Sequence, residues 1–138
     1  METITIFTDG GSRGNPGPAA VGVRMMTAEG KVLHEFSETI GNATSNYAEY
    51  FAVIRALQTA KELFGEKTKE MSFAFKLNSE LVKKQLNNEC QINDIGLIGH
   101  FIEIHNLRVA SFPHLTFTHV RRELNTEAGR LVDEALDT

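Results

Sequence analysis

Two carboxylates and a glycine-rich run between them carry the chemistry this sequence can do. Asp9 stands where an alternating stretch, Ile4 and Ile6 against Thr5 and Phe7, should end as a strand, so its side chain is expected at a strand tip. Glu49 falls in what the spacing predicts is the first turn of a long helix, where the positive helix end favours an acid. Acids from two elements meeting at one sheet end can hold a hard divalent cation, which takes oxygen ligands. A plain strand end and a helix-stabilising acid explain the same two residues. The segment Asp9-Gly10-Gly11-Ser12-Arg13-Gly14-Asn15-Pro16-Gly17-Pro18 can bring backbone N–H groups close to a phosphate or sugar, or simply form a hairpin. No Gly-Lys-Ser/Thr follows it, and it leads into a strand. Those two facts exclude a nucleotide P-loop and a dinucleotide-binding turn.

The elements that must position these residues follow from periodicity. Val21, Val23 and Met25 alternate with Gly22, Arg24 and Met26 in a second strand, and Glu29-Gly30 turns into a third near residues 31–38. Three strands joined by short turns predict an antiparallel meander. Residues 44–64 then place Ala48, Phe51, Ala52, Ala56, Leu57, Ala60 and Leu63 at helical spacing, with Thr44 or Ser45 as N-cap and Gly65 as the stop. A strand over 71–77 precedes a short helix that Asn78 or Ser79 caps and that ends at Leu86. After a polar connector at 87–94, a helix over 97–109 is expected to turn Ile98, Phe101, Ile102, His105 and Val109 inward. A strand over 115–119 and a helix over 127–136, with Ala128, Leu131, Val132 and Ala135 inward, complete the chain. The order β-β-β-α-β-α-α-β-α predicts an α/β domain over residues 1–138, with a mixed five-stranded sheet flanked by helices.

Composition sets the bounds. A 41% hydrophobic share suits a packed core, and no apolar run reaches the length of a bilayer span. Cys90 is the only cysteine, so no internal disulfide forms. With no secretory signal visible, a reducing, cytoplasmic setting is the expectation. The net charge of −4 argues against a broad, non-specific nucleic-acid binder. It is compatible with a nucleic-acid enzyme whose site is built from acids and completed by metal.

Four segments, taken in order, resemble ribonuclease H type 1. They are Thr8-Asp9-Gly10-Gly11-Ser12 with Gly14-Asn15-Pro16-Gly17-Pro18; Thr44, Asn46 and Ala48-Glu49-Tyr50; Asn78-Ser79-Glu80-Leu81-Val82; and His119-Val120-Arg121-Arg122-Glu123 with Asn125 and Glu127-Ala128-Gly129-Arg130-Leu131. The likeness is to the short bacterial and archaeal branch, because the connector at 87–94 is too short and too acidic for the basic protrusion of longer relatives. The resemblance implies a ribonuclease H-like sheet and an endonuclease that cuts the RNA strand of RNA–DNA hybrids with two Mg²⁺ ions, Mn²⁺ being an alternative. It assigns Asp9, Glu49 and Asn78 to metal and Asp9, Glu49, Asn78 and Gly129 to catalysis. To substrate it assigns Gly11, Ser12, Asn15, Thr44, Asn46 and Asn125. Asn15 also reads as a turn former, Thr44 as a helix cap and Asn125 as the cap of the last helix. His119 reads as structural, and Arg121 and Arg122 as surface or phosphate contacts.

Two positions depart from the family's acid quartet. Asn78 stands at the third position, neutral and isosteric with Asp, and Gly129 at the fourth, with no side chain. Two Mg²⁺ ions bring a charge of +4 against only −2 from Asp9 and Glu49, so metal affinity and turnover should be reduced or lost. Asp133 lies on a similar face but roughly 6 Å further along the helix, at about 1.5 Å per residue, and reads as a solvated surface charge. Glu127 and Asp94 lie on another face or on the connector. The alternative function is a non-catalytic hybrid-binding module. In either case a monomer with no obligate protein partner and no membrane contact is expected.

Overall fold

A computed structural model describes residues 1–138. Strands β1 (Thr3–Ser12), β2 (Gly17–Thr27) and β3 (Val32–Ala43) form the antiparallel meander. Helix α1 (Ser45–Phe64) follows, then β4 (Ser72–Leu77), α2 (Glu80–Leu86), α3 (Ile95–Ser111), β5 (Leu115–His119) and α4 (Thr126–Leu136). Strands β4 and β5 join parallel to β1, giving the order β3-β2-β1-β4-β5. The chain is therefore α/β with a mixed five-stranded sheet. Short 3-10 turns at Gly65–Glu70 and Arg122–Leu124 carry no periodicity a sequence pattern could reveal.

The core fills one face of this sheet. Ile4 and Ile6 of β1 and Phe73 and Phe75 of β4 meet Tyr50, Val53, Ile54 and Leu57 of α1, all buried. Thr44 caps α1 by accepting from the Tyr47 amide at 3.2 Å, and Ser79 caps α2 by accepting from Val82 at 3.1 Å. No helix is long and apolar enough to cross a membrane.

The predicted inward face of α3 is corrected. Leu97 and Ile104 are buried, whereas Ile98, Ile102 and Val109 are 42%, 51% and 73% exposed and His105 is also outside. This helix carries apolar residues around most of its circumference, so period alone does not say which stripe packs. The side that meets α1 does. Likewise β3 runs to Ala43 and not to residue 38, because Gly41, with φ of 80°, carries it past an irregularity in its pairing with β2.

Two glycines fix how closely the helices approach the sheet. A β-carbon on Gly10 would stand 2.2 Å from the Ala48 carbonyl carbon, so only glycine lets α1 cross β1 here. On Gly22 it would stand 2.4 Å from the Ala128 carbonyl oxygen, which makes the same demand for α4 on β2. Gly10→Ala should force α1 off the sheet and destabilise the protein by at least about 3 kcal/mol in chemical denaturation, at the upper end for overpacking. A change under about 1 kcal/mol would show that this approach is not tight.

Candidate active site

The register of the sheet brings the site together. Asp9 pairs with Gly22 across the antiparallel ladder, and α4 rests on Gly22 through Ala128, so the next residue, Gly129, faces Asp9. Thr8 pairs with Leu77 across the parallel ladder, so Asp9 and Asn78 follow at the tips of neighbouring strands. Gly10 seats α1 against β1 with Glu49 beside Asp9; the Gly10 amide donates to Glu49 Oε1 at 3.2 Å. Asp9, Glu49, Asn78 and Gly129, scattered over 120 residues of sequence, line one cavity of about 430 Å³ with Gly11, Ser12 and Asn46.

The cavity's electrostatics are those of two acids lacking compensation. Asp9 and Glu49 are only 5% and 6% exposed, and their carboxyl groups lie within hydrogen-bonding reach of each other. Burial raises Asp9, partly opposed by its contact with Glu49, by the Arg122 charge and by the Gly10 amide. Burial first, and then the Asp9 charge, push Glu49 well above the usual carboxylate range. Glu49 Oε2 is buried with no partner. Glu49 is the fifth residue of α1, beyond the first turn, so the helix-end support expected from the sequence is absent.

Asn78, expected among the metal ligands, presents different chemistry. Asn125 donates through its amide nitrogen to the Thr8 carbonyl at 2.9 Å, which fixes its orientation, and the same nitrogen reaches Asn78 Oδ1 at 2.7 Å. The single oxygen of Asn78 is thus already engaged by one donor, and its Nδ2 is buried without a partner. An aspartate would accept the same bond with one oxygen and keep a second, charged one. Asn125 itself is 2% exposed, makes no side-chain cap for α4 and does not line the acidic cavity; its place is the bridge between Thr8 and Asn78.

The remaining predicted substrate residues divide. Asn46 and the Gly11–Ser12 backbone face the cavity. Ser12 donates to the carbonyls of Ala43, at 2.7 Å, and Gly14, tying the glycine segment to the end of β3. Asn15 Oδ1 accepts from the Ser45 amide at 3.0 Å, fastening that segment to the start of α1. Thr44 lines a neighbouring hollow with Pro16, Asn42 and Tyr47. Arg122, which the sequence offered as a surface or phosphate contact, is exposed and lines the acidic cavity, where its charge favours both carboxylates.

The donor set fits one hard cation: two adjacent carboxylates lining a polar cavity, with one buried oxygen unpartnered. It does not preform a site for two ions, since Asn78 is neutral with its oxygen already accepting from Asn125, Gly129 has no side chain, and no three of His, Cys, Asp or Glu come together.

Comparison with known proteins agrees with this architecture. The family model described as "Reverse transcriptase-like" matches residues 7–135. Ribonuclease HI of Halobacterium salinarum is 41% identical over 97% of this chain, which spans 64% of that relative's length. LC11-RNase H1, isolated from compost, superposes with a TM-score of 0.94 at 42% identity, covering 99% of this chain and 97% of that one. The same protein solved with an RNA/DNA hybrid gives 0.93 at 42% identity, covering 97% and 96%. This chain belongs to the ribonuclease H type 1 family. Its relatives are hydrolases by name, and its sheet is the family's sheet.

Because the folded-state affinity of Glu49 for its proton is raised, the penalty for ionising it is absent below pH 4.5. It grows as pH rises toward the folded value and is complete above it. Glu49→Gln should therefore raise Tm by a few degrees at pH 7.5 and leave it nearly unchanged at pH 4. A loss of stability at pH 7.5 would contradict the raised value.

Proposed function

We propose that this chain is a ribonuclease H that engages RNA–DNA hybrids at the Asp9–Glu49 cavity and hydrolyses the RNA strand weakly or not at all. The observation that carries the reading is the juxtaposition of Asp9 and Glu49, buried side by side, with a committed amide at 78 and a bare backbone at 129. The family relation supports the substrate: LC11-RNase H1 has been solved with a hybrid. Asp9 and Glu49 would hold a divalent ion, Mg²⁺ or Mn²⁺, which when bound would polarise the scissile phosphate and acidify water. The chain's own groups do the rest. The Gly11–Ser12 backbone and Asn46 line the approach to the acids, where amide donors can meet 2′-hydroxyls, the group that separates RNA from DNA. Arg122 adds positive charge beside the position of a phosphate. Asn15 and Ser12 hold the glycine segment in place against α1 and β3.

The family's full reaction uses two ions, and the second is the one this chain does not support. Neutral Asn78 and Gly129 leave −2 at most among the positions that would touch an ion, and less while Glu49 keeps its proton. The same observation favours a second reading, a hybrid-binding module without turnover. Both readings place the hybrid on the same surface.

A labelled hybrid incubated with Mg²⁺ or Mn²⁺ distinguishes them. We expect little cleavage by the unmodified chain and a gain of at least about 100-fold, roughly 2.7 kcal/mol of transition-state stabilisation, in the double variant Asn78→Asp, Gly129→Asp. Robust Mg²⁺-dependent cleavage by the unmodified chain, abolished by Asp9→Asn, would overturn the charge argument. Equal affinity for hybrid, duplex DNA and duplex RNA would contradict 2′-hydroxyl recognition in either reading.

A further inference from the structure

The acidic character of the cavity extends beyond Asp9 and Glu49. Asp133 lines it from α4, one helical turn after Gly129 and on the face that also presents Val132 and Leu136. Asp133 forms no ion pair: Arg130 is held by Glu127 and Glu134 and Arg13 by Asp137, while Arg122, which shares the cavity, pairs with no acid. Independently, Glu49 Oε2 is buried, belongs to a side chain 6% exposed and accepts nothing from the protein, which leaves it free to meet a cation.

Asp133 is too remote to be a direct ligand. No three of His, Cys, Asp or Glu come together, and the step from position 129 to 133 is roughly 6 Å along the helix against ligand distances of about 2.0–2.1 Å for Mg²⁺. A carboxylate set back from an ion can still act on it through the ion's bound water. Magnesium surrenders its hydration reluctantly and keeps several waters when protein acids hold it. Gly129 leaves room for them: a β-carbon there would already lie 3.4 Å from Asp9 Oδ2, and a full aspartate would occupy that space.

We propose that Asp133 is the third carboxylate of this site, acting through water: it holds the hydration shell of a divalent cation that Asp9 and Glu49 ligate directly. It is a positioning residue for the ion. The proposal rests on the reading of the cavity as a cation site and adds a specific residue to it.

The test is Mn²⁺ binding to the full chain, followed by water-proton relaxation without substrate and repeated with Mg²⁺ as competitor. Asp133→Asn should weaken Mn²⁺ binding about three- to tenfold, a loss that shrinks as ionic strength rises because water lies between the charges. Asp133→Glu should restore affinity. Asp9→Asn should abolish binding. Unchanged affinity in Asp133→Asn, with binding lost in Asp9→Asn, would overturn the role of Asp133 alone. Equal losses in Asp133→Asn and Asp133→Glu would also overturn it, since shape and not charge would then matter. An Asp9→Asn variant that binds as well as the unmodified chain would overturn it together with the cation site.

Discussion

Two carboxylates share a nearly dry corner where β1, α1 and α4 meet, and the rest of the structure serves or endures that contact. Burying one carboxylate is costly; burying a second beside it adds repulsion at short range, where the surrounding protein screens little. The compensation present is small: one backbone N–H from Gly10 and the charge of Arg122. Evolution places such arrangements where an ion or substrate completes them, at a standing cost to stability. Here the acids hold protons more tightly than free carboxylates do, and a cation must displace that tendency before it binds.

The contact exists because of backbone features distant from it in sequence. Gly10 and Gly22 remove the β-carbons that would hold α1 and α4 away from the sheet, and the parallel pairing of β1 with β4 sets Asn78 beside Asp9. Position 129 faces Asp9 whatever residue occupies it. The two neutral positions therefore alter the site in different ways. Asn78 preserves the bridge through Asn125 to Thr8 and removes a charge, leaving a buried amide nitrogen unpartnered. Gly129 removes a ligand and leaves space. Geometry survives both changes; charge does not.

Much of this was legible in the sequence. The order of elements along the chain, caps narrowed to Thr44 or Ser45 and to Asn78 or Ser79, and the inward face of α4 followed from spacing and cap chemistry, since Ala128, Leu131, Val132 and Ala135 form one unambiguous stripe, whereas the order of strands in the sheet did not. The stripe of α3 was not legible, because its apolar residues surround the helix and only contact with α1 selects among them. The meeting of Asp9 and Glu49 came from family resemblance, as no local pattern relates a strand tip to a helix 40 residues later. The roles of Asn125 and Arg122 escaped for a related reason. One is decided by a hydrogen bond spanning 117 residues, the other by how a short turn folds back over the acids.

The most direct measurement is a carboxyl carbon NMR titration of Asp9 and Glu49 in the free protein, repeated with saturating Mg²⁺. We expect a coupled pair in which Glu49 titrates well above the ordinary carboxylate range without metal and falls when the ion binds. If both groups titrate at ordinary carboxylate values, and Mg²⁺ moves neither, then the two acids are not buried together as described and do not form a cation site.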